Sequence, residues 1–248
     1  MRYCGWQYQD NADSVQARVE RAIAAVADEA VRVVAAGRTD TGVHACGQVI
    51  HFDTDRRRAP QSWLRGVNTA LPDDISLLWT QPVADDFHAR FGARERAYRY
   101  VILNRAAAPS YLHGRVAWQY APLAVDAMRA AAQALVGRHD FSAFRAAGCQ
   151  AKSPEREVRR IDIGQRGAWI WIDVSADGFL HHMVRNLVGA LLRIGEGREA
   201  VSWAARLLAG RDRARAAATA PANGLYFTRV EYDSRFNLPP PAAACRFW

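Results

Sequence analysis

Apolar residues recur along the chain at two periods, and the switches between those periods divide it into elements. Val15, Val19, Ile23 and Val26 fall at helical spacing, and Asp13 with Gln16 three residues later resembles a capping box, so a first helix begins there. Residues 31–34 read as a short buried strand and residues 48–54, QVIHFDT, as a second. A helix over 61–70, a strand over 75–79 (ISLLW) and a strand over 97–103 (AYRYVIL) follow, the last alternating so that it exposes opposite faces. The second half repeats the order without repeating the sequence. An Ala-rich helix spans 123–136. Residues 159–164 and 168–174 form a hairpin around Gln165, Arg166 and Gly167, and residues 181–195 form another helix. Residues 203–210 and 225–232 complete this half. The pattern predicts an α+β fold of two similar halves, residues 1–103 and 104–248, around a mixed, mainly antiparallel sheet, with 104–122 as the joint.

Two segments depart from simple burial. Between the first two strands lies AGRTDTGVHA, residues 35–44, where Asp40 sits between Gly37 and Gly42 and two residues after Arg38. Glycine tolerates positive φ and close backbone approach, so this is a tight strand-to-strand connection with a carboxylate at its tip. In the helix from 181, Met183, Val184, Leu187, Val188, Leu191, Leu192 and Ile194 leave little polar circumference, yet Arg185 lies within that belt. A buried guanidinium needs a carboxylate or several acceptors, since stranding its charge costs several kcal/mol. Asp40 is one candidate partner; the alternative is that Arg185 occupies a wet strip of its helix.

Charge narrows the class of partner. The formal net charge is +8 over 248 residues, and all but one of the 33 Lys and Arg residues are arginine, Lys152 being the exception. The excess of positive charge favours an acidic partner, most simply nucleic acid. With 50% hydrophobic residues the chain can bury a sizeable core. Cys4, Cys46, Cys149 and Cys245 form no C-x-x-C pair, so neither a zinc site nor a disulfide scaffold is indicated and a reducing cytoplasm fits. No apolar run reaches the ~18 residues of a membrane-spanning helix, and the first residues lack the apolar core of a signal peptide.

Several segments in order carry a resemblance: GWQYQ (5–9), AGRTDTGVHA, ARFGARERAYRYVILN (89–104), HDFSAF (139–144), FLHHMVRNLVG (179–189) and APANGLYFTRVEY (220–232). Together the chain resembles the tRNA pseudouridine synthase A (TruA) family over nearly its whole length. The resemblance implies isomerisation of uridine to pseudouridine in the anticodon stem-loop of tRNA, at tRNA positions 38, 39 and 40. It also implies two α+β halves around a central basic cleft, a homodimer, and no metal or organic cofactor. Matched by motif, Asp40 corresponds to the family's catalytic aspartate and Arg185 to the arginine that pairs with it. Tyr98 corresponds to the tyrosine that stacks on the target base, and Arg38 to the arginine linked to RNA positioning and base flipping. The family usually begins with an extra apolar strand before the Gly-Trp-Gln segment, where only four residues stand here. Lack of that strand would leave a neighbouring edge unpaired, a matter of stability rather than chemistry.

The chemistry calls for these residue types. A base paired in a stem must be extruded, at a cost of a few kcal/mol. Arg38 could fill the vacated space, and Tyr98 could return roughly 1–3 kcal/mol of stacking. Turning the base requires a carboxylate that is ionised at neutral pH, and an adjacent Arg185 opposes the pKa rise that burial would impose on Asp40. Two rival readings use the same residues. A non-catalytic tRNA-binding protein would share the charge, but not the set of Asp40, Arg185 and Tyr98. A metal-dependent nuclease could recruit Asp40, His44, His51 and the His181–His182 pair, but no H-x-x-x-H or clustered carboxylates occur, and adjacent helical histidines point about 100° apart. His44, His51, His88 and His181 are therefore assigned to packing or RNA-facing polar roles, and Arg56–Arg58 to a solvated face.

Overall fold

The computed structural model describes residues 2–241 and 243–248, leaving Met1 and Ala242 outside the described residues. Helix α1 (Val15–Ala27) starts as its periodicity requires, but its cap is Ser14, whose hydroxyl accepts from the Ala17 amide at 3.3 Å. Asp13 is instead paired with Arg18 at 2.6 Å, and Gln16 accepts from the Tyr8 amide and donates to Glu20, so the expected capping box is not formed. Helix α2 (Pro60–Ala70) opens on a proline, whose missing N–H is no loss in a first turn. The two helices pack Val19, Ile23, Trp63 and Val67 together with Trp6 into one apolar cluster.

The strands expected beside these helices are largely reduced. β1 (Val34–Ala35) and β3 (Ile50–His51) pair antiparallel over two residues each. Residues 31–33 and 75–79 enter no strand ladder among the described residues. Ile75 and Leu77 bury their side chains against the same cluster, which is what their apolar pattern encodes, but a ladder also needs a neighbour for its backbone. A cleft of about 1120 Å³ lies between these segments, lined by Trp6, Val19, Ile50 and Leu77. The Leu77 backbone is held instead by the Asn68 side-chain amide, at 2.7 and 2.9 Å.

The remainder is organised by one mixed seven-stranded sheet. Its members are β2 (His44–Ala45), β4 (Glu95–Asn104), β5 (Ala117–Gln119), β6 (Gly137–Asp140), β7 (Glu155–Arg166), β8 (Trp169–Ala176) and β9 (Leu225–Glu231). The order is β2-β9-β4-β8-β7-β6, with β5 beside β4. The β2–β9 and β4–β5 pairs are parallel and the others antiparallel. Alternation along β4 sends Tyr98, Tyr100 and Ile102 into a core shared with α3 (Val125–Gln133), α4 (Met183–Gly195) and α5 (Trp203–Gly210). Val101 and Leu103 point to the opposite face, where Trp169, Phe247 and Trp248 cover them. Trp248 stacks on Trp171 at 4.2 Å between ring centroids. All four cysteines are free thiols. No helix of the described residues is long and apolar enough to cross a membrane.

Candidate active site

Asp40 is held at the tip of its connection by backbone geometry. The Val43 amide donates to the Asp40 carbonyl at 3.0 Å, closing a turn whose third residue, Gly42, has φ +83°. A type II turn requires positive φ there, which explains this glycine. Gly37 has no positive φ; its backbone is instead clamped by the Gln48 side chain, which donates to the Gly37 carbonyl at 2.6 Å and accepts from its amide at 3.3 Å. On the outer side Trp6 donates to the Thr39 carbonyl at 2.9 Å. Gly5, at φ +82°, lies so close to that carbonyl that a Cβ would sit 2.5 Å from the oxygen. Past the turn, β2 locks onto β9, and His44 stacks on Tyr226 at 4.7 Å while bonding the Gly114 carbonyl at 3.0 Å. Burial pushes the His44 imidazole below its ordinary pKa.

Facing Asp40 is the start of α4. Arg185 Nη1 stands 3.6 Å from Asp40 Oδ2, and its Nε donates to the Ala220 carbonyl at 2.8 Å. Its side chain is 15% exposed, against 35% for Asp40, so of the two alternatives the pairing with Asp40 is the one realised. The helix is fixed beneath it by Asn186, fully buried, which donates to the Phe144 carbonyl and accepts from Thr219 and Arg213.

The same end of the helix brings two residues that the sequence reading did not place here. His182 Nε2 lies 3.2 Å from Asp40 Oδ2 and His181 Nε2 3.5 Å from Oδ1, with the two rings 4.0 Å apart. The expectation that adjacent histidines diverge by about 100° assumed that both were helical. His182 is the residue before the helix, at φ +59°, a left-handed conformation that turns its ring to the same side as that of His181. A non-glycine residue held there carries backbone strain, of the sort concentrated at functional sites. Burial, more than any neighbouring charge, holds His182 below its ordinary pKa, with Asp40 opposing the shift. The sequence signal was present: a His–His pair immediately before an apolar helix, with the second His three residues ahead of Arg185.

Tyr98 lies beside the turn, its hydroxyl 3.7 Å from the point where a Gly37 Cβ would stand. Its ring stacks on Phe227 at 4.8 Å and meets Phe179 edge-on at 5.2 Å. Burial, and secondarily the Asp40 charge, hold the phenol well above its ordinary pKa, so it is protonated at neutral pH. Arg38 is exposed, and its guanidinium makes no hydrogen bond or ion pair among the described residues. The arrangement is completed by Arg96, whose guanidinium donates to the carbonyls of Ala36, Asp177 and Arg90 at 3.0, 3.1 and 2.6 Å. It thereby ties the Asp40 connection to two other segments, and burial lowers its pKa. His51 and His88 serve locally, accepting from the Ala89 amide and from the Arg90 and Phe91 amides. Arg56–Arg58 are exposed.

The chain that builds this carboxylate, guanidinium and imidazole cluster is similar to known proteins over nearly its whole length. The sequence profile described as tRNA pseudouridine synthase matches residues 2–92 and 131–233. A protein of Thiobacillus denitrificans named tRNA pseudouridine synthase A is 54% identical over 237 residues, covering 96% of this chain and 91% of that one. Proteins of the same name from Hydrogenovibrio crunogenus and Nitrosococcus oceani are 50% and 49% identical, over 96% and 99% of this chain and 90% and 95% of their own. This chain therefore belongs to the tRNA pseudouridine synthase family.

Proposed function

We propose that the protein isomerises uridine to pseudouridine in tRNA, with the anticodon stem-loop, positions 38, 39 and 40, as its target and Asp40 as the reacting carboxylate. The observation that carries this reading is the Asp40–Arg185 pair at 3.6 Å in a chain of this family. Substrate and product are isomers. The bond from the sugar to the base nitrogen breaks, one to a ring carbon forms, that carbon gives up a proton and the nitrogen gains one. No oxidant, reductant or second substrate is consumed.

Each residue has a part in this scheme. Arg185 holds the Asp40 carboxylate aimed from 3.6 Å, and it is itself fixed by the Ala220 carbonyl. His182 shares the same carboxylate oxygen and orients it from the other side. Tyr98, kept protonated beside the turn, offers its ring edge and hydroxyl to the extruded base. Arg38, with no protein partner among the described residues, is free to enter the duplex where the base has left, and to hold phosphate. A basic cleft, a homodimer, a cytoplasmic location and the division into halves 1–103 and 104–248 belong to the same reading. The family resemblance supports the first three and the net charge of +8 adds to the first; for the last, the separate apolar cluster within residues 6–77 supports an N-terminal unit, while β2 and β4 join the sheet of the second half.

The test is to incubate the protein with unmodified tRNA transcripts and map pseudouridine by chemical labelling. Product at 38, 39 or 40 is expected. Tight tRNA binding with no product at any position would favour a non-catalytic binding protein and overturn the proposal.

A further inference from the structure

Asp40, His181 and His182 together offer three ligating atoms within 4.8 Å of one another. Each imidazole Nε2 stands 3.5 or 3.2 Å from a carboxylate oxygen. An ion held tetrahedrally at about 2.0–2.1 Å by nitrogen and oxygen spaces its ligands about 3.3 Å apart. Both imidazole–carboxylate spacings are therefore close to the one such an ion imposes, before any ion arrives, and the three ligand atoms all lie within 4.8 Å of one another. Two imidazoles and one carboxylate suit zinc, cobalt, nickel or copper, and do not suit magnesium or calcium, which take oxygen ligands. The left-handed backbone at His182 is what makes the imidazoles converge. With His181 exposed, an ion can enter from solvent.

We propose that a divalent transition-metal ion of the zinc class binds at Asp40, His181 and His182, and that it inhibits the enzyme by occupying the Asp40 carboxylate; the inhibition rests on the role given to Asp40 above. Arg185 sets the limit on affinity. Its guanidinium lies 3.6 Å from the same carboxylate and is tethered to the Ala220 carbonyl, so it repels an incoming ion and is held in place as it does so. This is an inhibitory site that fills when free metal rises, not a resident centre.

Zn²⁺ is titrated calorimetrically into the full chain without RNA, with Co²⁺ as an optical probe of coordination. One ion per chain is expected, with the intense visible bands of tetrahedral cobalt. Binding should weaken at least about tenfold in His181→Gln and in His182→Gln, and it should tighten in Arg185→Met, the opposite of what that change does to catalysis. Pseudouridine formation should fall in step with occupancy, recover with EDTA, and lose its sensitivity to Zn²⁺ in His181→Gln. Absence of binding to the wild type, or undiminished binding in the double histidine variant, overturns the site. Binding at the cluster with undiminished pseudouridine formation overturns the inhibition, and with it the place of Asp40 in the reaction.

Discussion

The two flanks of Asp40 are built in opposite ways. On its own side the carboxylate hangs from a connection whose strands are two-residue ladders, pinned by single backbone bonds from Trp6 and Val43 and by the Gln48 amide. On the facing side, Arg185 belongs to, and His182 immediately precedes, a helix whose apolar residues are buried nearly all round and whose Asn186 is bonded on both ends of its amide. Local opening costs least where few apolar contacts and short ladders hold the chain. The difference teaches that the carboxylate proposed to react sits on the compliant side, and the groups that contact it on the rigid one. Under the proposed function, the turn gives way to an incoming nucleotide while the Arg185 charge beside Asp40 stays fixed.

Variants on either flank can break that contrast. The largest effect is expected for Asp40→Asn, which keeps size and removes the charge: pseudouridine formation should drop below detection while the thermal melt and tRNA binding remain close to wild type. Wild-type turnover in this variant would remove the connection from the chemistry altogether. Arg185→Met, on the rigid flank, should also collapse activity. In addition it should cost about 1–3 kcal/mol of stability, because the Ala220 carbonyl loses its donor in a mostly buried setting. Denaturant unfolding reads the second effect separately from the first. Gly5→Ala tests the compliant flank from outside. A Cβ against the Thr39 carbonyl at φ +82° must push the turn, so turnover should fall by more than the stability lost, roughly 1–3 kcal/mol, would suggest. Unchanged turnover with lowered stability would show that Gly5 matters to folding alone.

The smallest effect is a pH dependence shared by both flanks. His44 and His51 on the compliant side and His182 on the rigid side are each held below the ordinary 6.5, with burial the first cause in every case. The folded chain thus favours the neutral rings, and the unfolded chain takes up protons at higher pH. Their contribution to stability is complete above about 6.5 and is lost as pH falls from there toward the lowered folded values. The melting temperature should decline between about pH 7 and pH 5.5. His182→Asn, which tolerates the left-handed backbone, should remove part of the slope. A melting temperature that rises on acidification would contradict this.

The same contrast explains what could be read from sequence. Helices α1, α2, α4 and α5 and strands β4, β7, β8 and β9 follow from apolar period, because burial alone decides them. The segment 75–79 has the pattern of a strand and is not one, since period reports which side chains are buried and says nothing about whether a neighbour exists to take the backbone bonds. Asp40, Arg38, Tyr98 and Arg185 were found from motif, and the structure brings Asp40, Arg185 and Tyr98 to one place. His181 and His182 escape the sequence reading because a helix projected from residue 181 starts two residues before the real one. Arg96 was missed for a different reason: carbonyl acceptors carry no residue identity, so no sequence pattern marks them.

That knot at Arg96 has a kinetic meaning. One guanidinium joins carbonyls from residues 36, 90 and 177, so it can close only after the sheet carrying β4 has formed and after the Asp40 connection and the 88–92 turn have arrived against it. Contacts that depend on so many separate arrivals form late, after the folding barrier is crossed. Arg96→Ala is therefore expected to leave the refolding rate nearly unchanged and to accelerate unfolding, which stopped-flow denaturant jumps would resolve. Seen this way, the guanidinium is a latch that governs how long the assembled site persists once made.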